Sequence, residues 1–161
     1  MSTWVQTNHG GKPTKNKDVK RAIFIGRFQP YHYGHIGLVE QKLKQGVPCL
    51  LLVRDIEPDD ANPFTADETI DMINYYHQEE LLNVDGEAVP EVICMKIPDI
   101  ESVNYGRGVG YEVNEWTPSE ATASISATKI RTEAKAGRVK WKTMVPYSLH
   151  NRILKKLGEK G

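Results

Sequence analysis

The stretch Ala22-Ile23-Phe24-Ile25-Gly26-Arg27-Phe28-Gln29-Pro30-Tyr31-His32-Tyr33-Gly34-His35 decides how the chain folds. Its opening apolar run, ended by Gly26, has the form of a central parallel strand buried on both faces. From Gly34 onward Ile36, Val39 and Leu43 recur at helical spacing, with Glu40, Lys42 and Lys44 on other faces and Gly46 placed to stop the helix. Pro48 to Val53 is a second apolar strand, so the opening reads β-α-β, with a right-handed crossover and parallel strands. In an open α/β sheet ligands bind outside the carboxyl edge, where the loop from the first strand to its helix lies. The spacing His32-x-Gly34-His35 sets two imidazoles beside a helix N-terminus, whose free N–H groups and positive dipole end favour an anion such as phosphate. Gly34 lets the backbone approach a ligand closely, and Gly26 permits a tight exit from the strand.

Beyond this unit, Thr65-Ala66-Asp67-Glu68 has the form of a capping box and opens a helix that presents Ile70, Ile73 and Tyr76 and runs to about Leu82. Val92-Ile93-Cys94-Met95 is a third strand, and Tyr111-Glu112-Val113 is read as a short fourth. Ser124 to Lys135 is a loop feeding a helix that Gly137 stops; Pro146 starts a last helix carrying Leu149, Ile153, Leu154 and Leu157. The alternation predicts an α/β fold: a single Rossmann-like, doubly wound parallel sheet with helices on both faces and a C-terminal helical segment. No internal repeat is visible.

At 161 residues the chain has room for one domain with a real core. Residues 1–20, with Lys12, Lys15, Lys17 and Lys20 among Asn, Gly, Thr and Pro and no apolar period, read as a flexible tail, which leaves 21–161 as the domain. Apolar residues at 39% and charged residues at 26% suit a soluble globular protein and exclude collagen-like and low-complexity classes. Lys and Arg number 21 against 21 Asp and Glu, so no overall cationic field draws the chain to nucleic acid or to an anionic membrane; phosphate recognition must be local. Cys49 and Cys94 sit in apolar runs and form no CxxC, as expected of buried free thiols in a reducing compartment. The apolar stretch Val47 to Val53 is too short to span a bilayer, and the Lys-rich start leads into no signal-peptide core. A cytoplasmic location is expected, the host's cytoplasm were the protein viral.

At Gly26-Arg27-Phe28-Gln29-Pro30-Tyr31-His32-Tyr33-Gly34-His35 the chain resembles the nucleotidyltransferase superfamily with the HxGH signature, which moves AMP or CMP from a nucleoside triphosphate to a phosphate-bearing acceptor. Ile125-Ser126-Ala127-Thr128-Lys129-Ile130-Arg131 is similar to the superfamily's second mark, ISxTxxR. Gly26 to Pro30, Asn62-Pro63-Phe64-Thr65-Ala66 with Glu68 and Met72-Ile73, and Trp141 followed by Val145-Pro146 resemble the archaeal-type nicotinamide mononucleotide adenylyltransferases. That subfamily carries Gly-Ser-Ala-Gln after the second strand, where this chain has Val53-Arg54-Asp55-Ile56. Arg54-Asp55 and Tyr105-Gly106-Arg107-Gly108-Val109-Gly110-Tyr111 look more like viral or fused adenylyltransferase-like domains.

The resemblance implies a transferase that joins AMP from ATP to nicotinamide mononucleotide and releases pyrophosphate. A same-fold adenylyl- or cytidylyltransferase acting on phosphopantetheine or an alcohol phosphate is the alternative, and a non-catalytic nucleotide-binding sensor is a third. His32, His35 and Arg131 would be catalytic. Gly26, Arg27, Phe28, Gly34, Ser126 and Thr128 would hold the triphosphate; Arg54, Asp55, Tyr105, Arg107 and Trp141 are candidates for the acceptor. Mg²⁺ would bind through ATP phosphates and water with no protein ligand set, and the superfamily's habit points to a symmetric homo-oligomer.

Each feature has a plainer reading. Two histidines alone could be surface loop residues or half of a metal site, although no nearby Cys or third His completes a zinc set. Ser126 and Thr128 could simply cap a helix, which does not preclude phosphate binding. Thr65 and Glu68 are structural. The Gly106-x-Gly108-x-Gly110 segment misses the GxGxxG spacing and is either an ordinary turn or a loop over the acceptor. Trp141 is a core residue or an adenine platform, and Arg54-Asp55 is a local ion pair or a substrate contact.

Overall fold

In the computed structural model, residues 4–5, 14–15, 19–80 and 90–158 are described. β1 (Trp4–Val5) and β2 (Thr14–Lys15) pair antiparallel; the remainder of the expected tail up to residue 18 lies outside the described residues. The domain proper begins with β3 (Ala22–Gly26), α1 (Tyr33–Leu43) and β4 (Cys49–Arg54), the anticipated β-α-β unit. It continues through α2 (Ala66–Tyr75), which passes into a π-helical turn over Tyr76–Glu80, and β5 (Val92–Ile97). A long connection leads to α3 (Glu120–Ala123) and α4 (Ala127–Lys135). The chain closes with short helical pieces, α5 (His150–Ile153) among them. The result is a three-stranded parallel sheet flanked by helices, a Rossmann-like α/β fold with a C-terminal helical segment.

Within the sheet the order is β3-β4-β5. Registers Ala22↔Cys49, Phe24↔Leu51, Cys49↔Val92 and Leu51↔Cys94 gather alternate side chains onto one face. There Cys49, Leu51, Val53 and Val92 are buried against Ile36, Val39 and Leu43 of α1 and Met72 and Ile73 of α2. Ile130 and Ala134 of α4, together with Trp141, Leu149 and Ile153, extend that core over the carboxyl-terminal helices. Both cysteines are free, and burial raises each thiol to about 12, so neither is a thiolate near neutrality.

Two expectations are corrected. β3 is an edge strand among the described residues, and its alternate residues Ile23 and Ile25 are 59% and 46% exposed, so it is not a central strand buried on both faces. An unbroken apolar run cannot reveal how many of its faces and edges are covered; the strand order does that. Tyr111-Glu112-Val113 forms no strand but belongs to the irregular connection from β5 to α3, where Gly108 and Gly110 adopt positive φ and turn the chain away from any ladder. No helix of the described residues is long and apolar enough to cross a membrane.

Candidate active site

The loop from β3 to α1 places the histidine pair at the carboxyl edge of the sheet. His32 is the N-cap of α1: its Nδ1 accepts the Gly34 amide proton at 3.0 Å, and Nδ1 of His35 accepts the His32 amide proton at 3.1 Å. The two imidazoles thus form a reciprocal capping box, the task Ser and Glu usually share. Because both Nδ1 atoms are acceptors, the proton of each neutral ring lies on Nε2, which is left as a donor. Burial lowers the pKa of His32 to about 4; burial and the neighbouring His32 hold His35 well below its usual value. At neutral pH both are uncharged N–H donors. The first-turn amides, expected to be open to an anion, are partly spent: Gly34 N–H goes to His32 and Tyr33 N–H to the carbonyl of Met144 at 3.0 Å. Fewer backbone amides are thus left open at this helix start than the sequence implies.

Both glycines of the loop have steric reasons. A Cβ on Gly34 would stand 2.7 Å from His32 Cε1 and 2.9 Å from its Nδ1; one on Gly26 would stand 2.8 Å from the Phe28 ring. Phe28 itself is buried at φ 52°, a left-handed conformation that costs a side-chain-bearing residue about 1–2 kcal/mol. In that position its ring meets the edge of His35 with centroids 5.0 Å apart.

The second motif arrives from α4. Arg131 donates from Nη1 to the carbonyl of Gln29 at 2.8 Å and from Nη2 to Thr128 Oγ1 at 3.3 Å, which seats its guanidinium against the histidine-bearing loop. Burial and the positive charge of Arg27 pull its pKa down while Asp59 pushes it up, so Arg27 and Asp59 act on the same region. Ser126 is the N-cap of α4, its Oγ accepting from the Lys129 amide at 3.1 Å. Gln29, which the motif reading passes over, is buried and clamps the segment before α2: its Nε2 donates to the Phe64 carbonyl and its Oε1 accepts from the Phe64 amide, both at 2.9 Å. The quoted loop already contained it, but only its partner shows what it does.

The expected acceptor residues scatter. Arg54, at the carboxyl end of β4, pairs with Asp99 at 2.9 Å and donates to Asn62 Oδ1 at 3.2 Å; its partner is thus Asp99, not the adjacent Asp55. Asp55 is exposed and joins the fold through its amide, bonded to the Ile97 carbonyl at 2.8 Å. Asp59 accepts from the side chain and backbone of Asn62, and these bonds, chiefly, depress its pKa; the bond from Arg54 does the same for Asp99. Tyr105 and Tyr111 are each 64% exposed, and Arg107 is exposed. Beside Tyr111, Glu112 meets Lys42 at 3.5 Å in the last turn of α1, about 10–15 Å of helix from the histidines. Trp141 is fully buried, donates its indole N–H to the Arg138 carbonyl at 2.9 Å and meets His150 edge-on, so its ring belongs to the core. Among the described residues no group of three or more His, Cys, Asp or Glu is placed to hold a metal ion.

A histidine-bearing loop at the carboxyl edge of a Rossmann-like sheet, with an arginine from a later helix beside it, is the arrangement the resemblance to nucleotidyltransferases implies. Comparison with known proteins agrees: residues 23–99 match the cytidylyltransferase-like family model. The chain is similar to the nicotinamide-nucleotide adenylyltransferase of Ignicoccus hospitalis, 30% identical over 86% of this chain and 92% of that one. It is also similar to the nicotinamide-nucleotide adenylyltransferases of Pyrobaculum aerophilum (28%, over 87% and 90%) and Thermococcus kodakarensis (28%, over 81% and 80%). The chain belongs to the family of the archaeal nicotinamide-nucleotide adenylyltransferases and is an enzyme of the nucleotidyltransferase class.

Proposed function

We propose that residues 21–161 form the catalytic domain and transfer AMP from ATP to nicotinamide mononucleotide, releasing pyrophosphate. The observation that carries this reading is the 2.8 Å bond from Arg131 to the Gln29 carbonyl, which gathers the two motifs at one sheet edge. The names of relatives that match over 80–92% of their own lengths support nicotinamide mononucleotide as the acceptor.

The acceptor's phosphate oxygen is ionised near neutral pH, so attack on the α-phosphorus needs no strong base. An oxygen–phosphorus bond forms in line as the bond to the bridging oxygen of the β-phosphate breaks, and pyrophosphate leaves with the bonding pair. His32 and His35 donate from Nε2 to phosphate oxygens as their charge grows. Arg131, with Arg27 nearby, neutralises the β- and γ-phosphates, beside the hydroxyls of Ser126 and Thr128. The donors present suit phosphate oxygens, and Asp59 and Asp99, the carboxylates that interact with Arg27, are engaged by Asn62 and Arg54. This set fits a Mg²⁺ carried by the nucleotide through phosphate oxygens and water; when bound, the ion spreads the charge of the polyphosphate.

The test is incubation of the purified protein with ATP or CTP and a panel of acceptors, following pyrophosphate and identifying the product by mass. Dinucleotide formed from ATP and nicotinamide mononucleotide is expected. Turnover only with phosphopantetheine or an alcohol phosphate would replace the acceptor, and nucleotide binding without any turnover would make the domain a sensor.

A further inference from the structure

Behind His35 lies a set of rings that neither motif accounts for. The Tyr31 ring is parallel to the His35 imidazole, 1° between planes and 5.7 Å between centroids, while His32 stacks on His35 at 3.7 Å and Phe28 meets its edge. Tyr31 is fully buried, and its hydroxyl shares a 2.8 Å hydrogen bond with Nε2 of His77, itself buried in the π-helical turn that follows α2. The hydroxyl lies on the long axis of the phenol ring, so this bond fixes where the axis points. The edges of Phe28 and Tyr76, inclined at 75° and 67°, fix the plane.

We infer that Tyr31, tethered by His77, is a positioning residue that holds the His35 ring with its Nε2–H aimed at the phosphate. The inference rests on the nucleotidyl transfer proposed above. Burying a hydroxyl and an imidazole costs free energy that two apolar side chains would not, and the directional bond between them specifies one arrangement where apolar packing tolerates several. Burial also raises the Tyr31 pKa well above its usual value, so the phenol stays neutral and the tether keeps its form. His35 gains orientation from both sides: its Nδ1 is fixed by the His32 amide and its ring by Tyr31. A hydrogen-bond donor aimed in advance stabilises charge that develops only in the transition state, so its misalignment lowers kcat more than it raises KM.

The experiment compares Tyr31→Phe, which keeps the ring and removes the hydroxyl, with His77→Leu and His77→Gln, of which only Gln can still meet the phenol. Two readouts are taken: kcat and KM for ATP, and the ¹⁵N–¹H spectrum of the His35 ring without substrate. Tyr31→Phe and His77→Leu are expected to lower kcat about tenfold with KM within about twofold, and to broaden the His35 Nε2–H signal as the ring loses its fixed orientation. His77→Gln should recover most of kcat, and Tyr31→Phe with His77→Leu should be no worse than either alone. Native kcat and a native His35 Nε2–H signal in Tyr31→Phe, or equal losses in His77→Gln and His77→Leu, would overturn the inference. If the native protein transfers no nucleotide to any acceptor, the transfer reading fails. The ring spectra then decide by themselves whether Tyr31 orients His35.

Discussion

His32 and His35 are uncharged at neutral pH, and this links them to stability as well as to the proposed turnover. In the unfolded chain a histidine takes up a proton near pH 6.5, whereas folded His32 does so only near pH 4. Between those values the unfolded state binds more protons, so stability must fall as pH falls, by on the order of 3 kcal/mol from His32 alone once pH 4 is reached. Urea midpoints measured at pH 7.5, 6 and 5 should decline in that order, and His32→Gln should flatten the trend; a native midpoint that stays level would contradict the buried neutral ring. His35→Ala removes one preorganised donor and should lower turnover by about 10²–10³, roughly 2.7–4 kcal/mol, far beyond its effect on folding. Turnover at the native level in that variant would remove His35 from the mechanism.

At the level of elements, the start of α1 shows how one feature serves two ends. The imidazoles cap the helix through Nδ1, so the cap sets the Nε2–H tautomer on which the proposed transfer relies. Gly34→Ala should separate these roles. Alanine is the better helix former by about 1 kcal/mol, yet its Cβ would displace the His32 ring. Thermal stability should hold within about 1 kcal/mol while turnover drops more than about tenfold, as measured by melting curves and pyrophosphate release. In α4 the opposite split is expected. Ser126→Ala loses the cap and should cost about 1 kcal/mol of stability, whereas Arg131→Lys, which keeps the charge but not the grasp on Gln29 and Thr128, should spare stability and lower turnover about a hundredfold. Comparable turnover losses in both variants would undo that division.

Across the whole molecule, the position of β3 is what the sequence left open. Ile25 in a strand covered on both faces would be worth several kcal/mol; in the observed sheet its side chain is half exposed. Ile25→Thr should therefore cost under about 1.5 kcal/mol by chemical denaturation, and a loss above about 3 kcal/mol would mean that the face is covered in solution. The β-α-β opening, the capping box of α2, the stop signals at Gly46 and Gly137 and the helix starts at His32 and Ser126 were legible in sequence because each rests on local periodicity, a cap or a glycine conformation. The sequence by itself determined the local elements apart from the strand expected at Tyr111-Glu112-Val113, and the histidine pair on its helix start. Only the tertiary structure decided that Arg131 reaches Gln29, that Arg54 answers to Asp99, that Trp141 belongs to the core and that His77 stands behind Tyr31. Those contacts join residues far apart in the chain, and their partners are selected by the packing of sheet and helices, which no local spacing encodes.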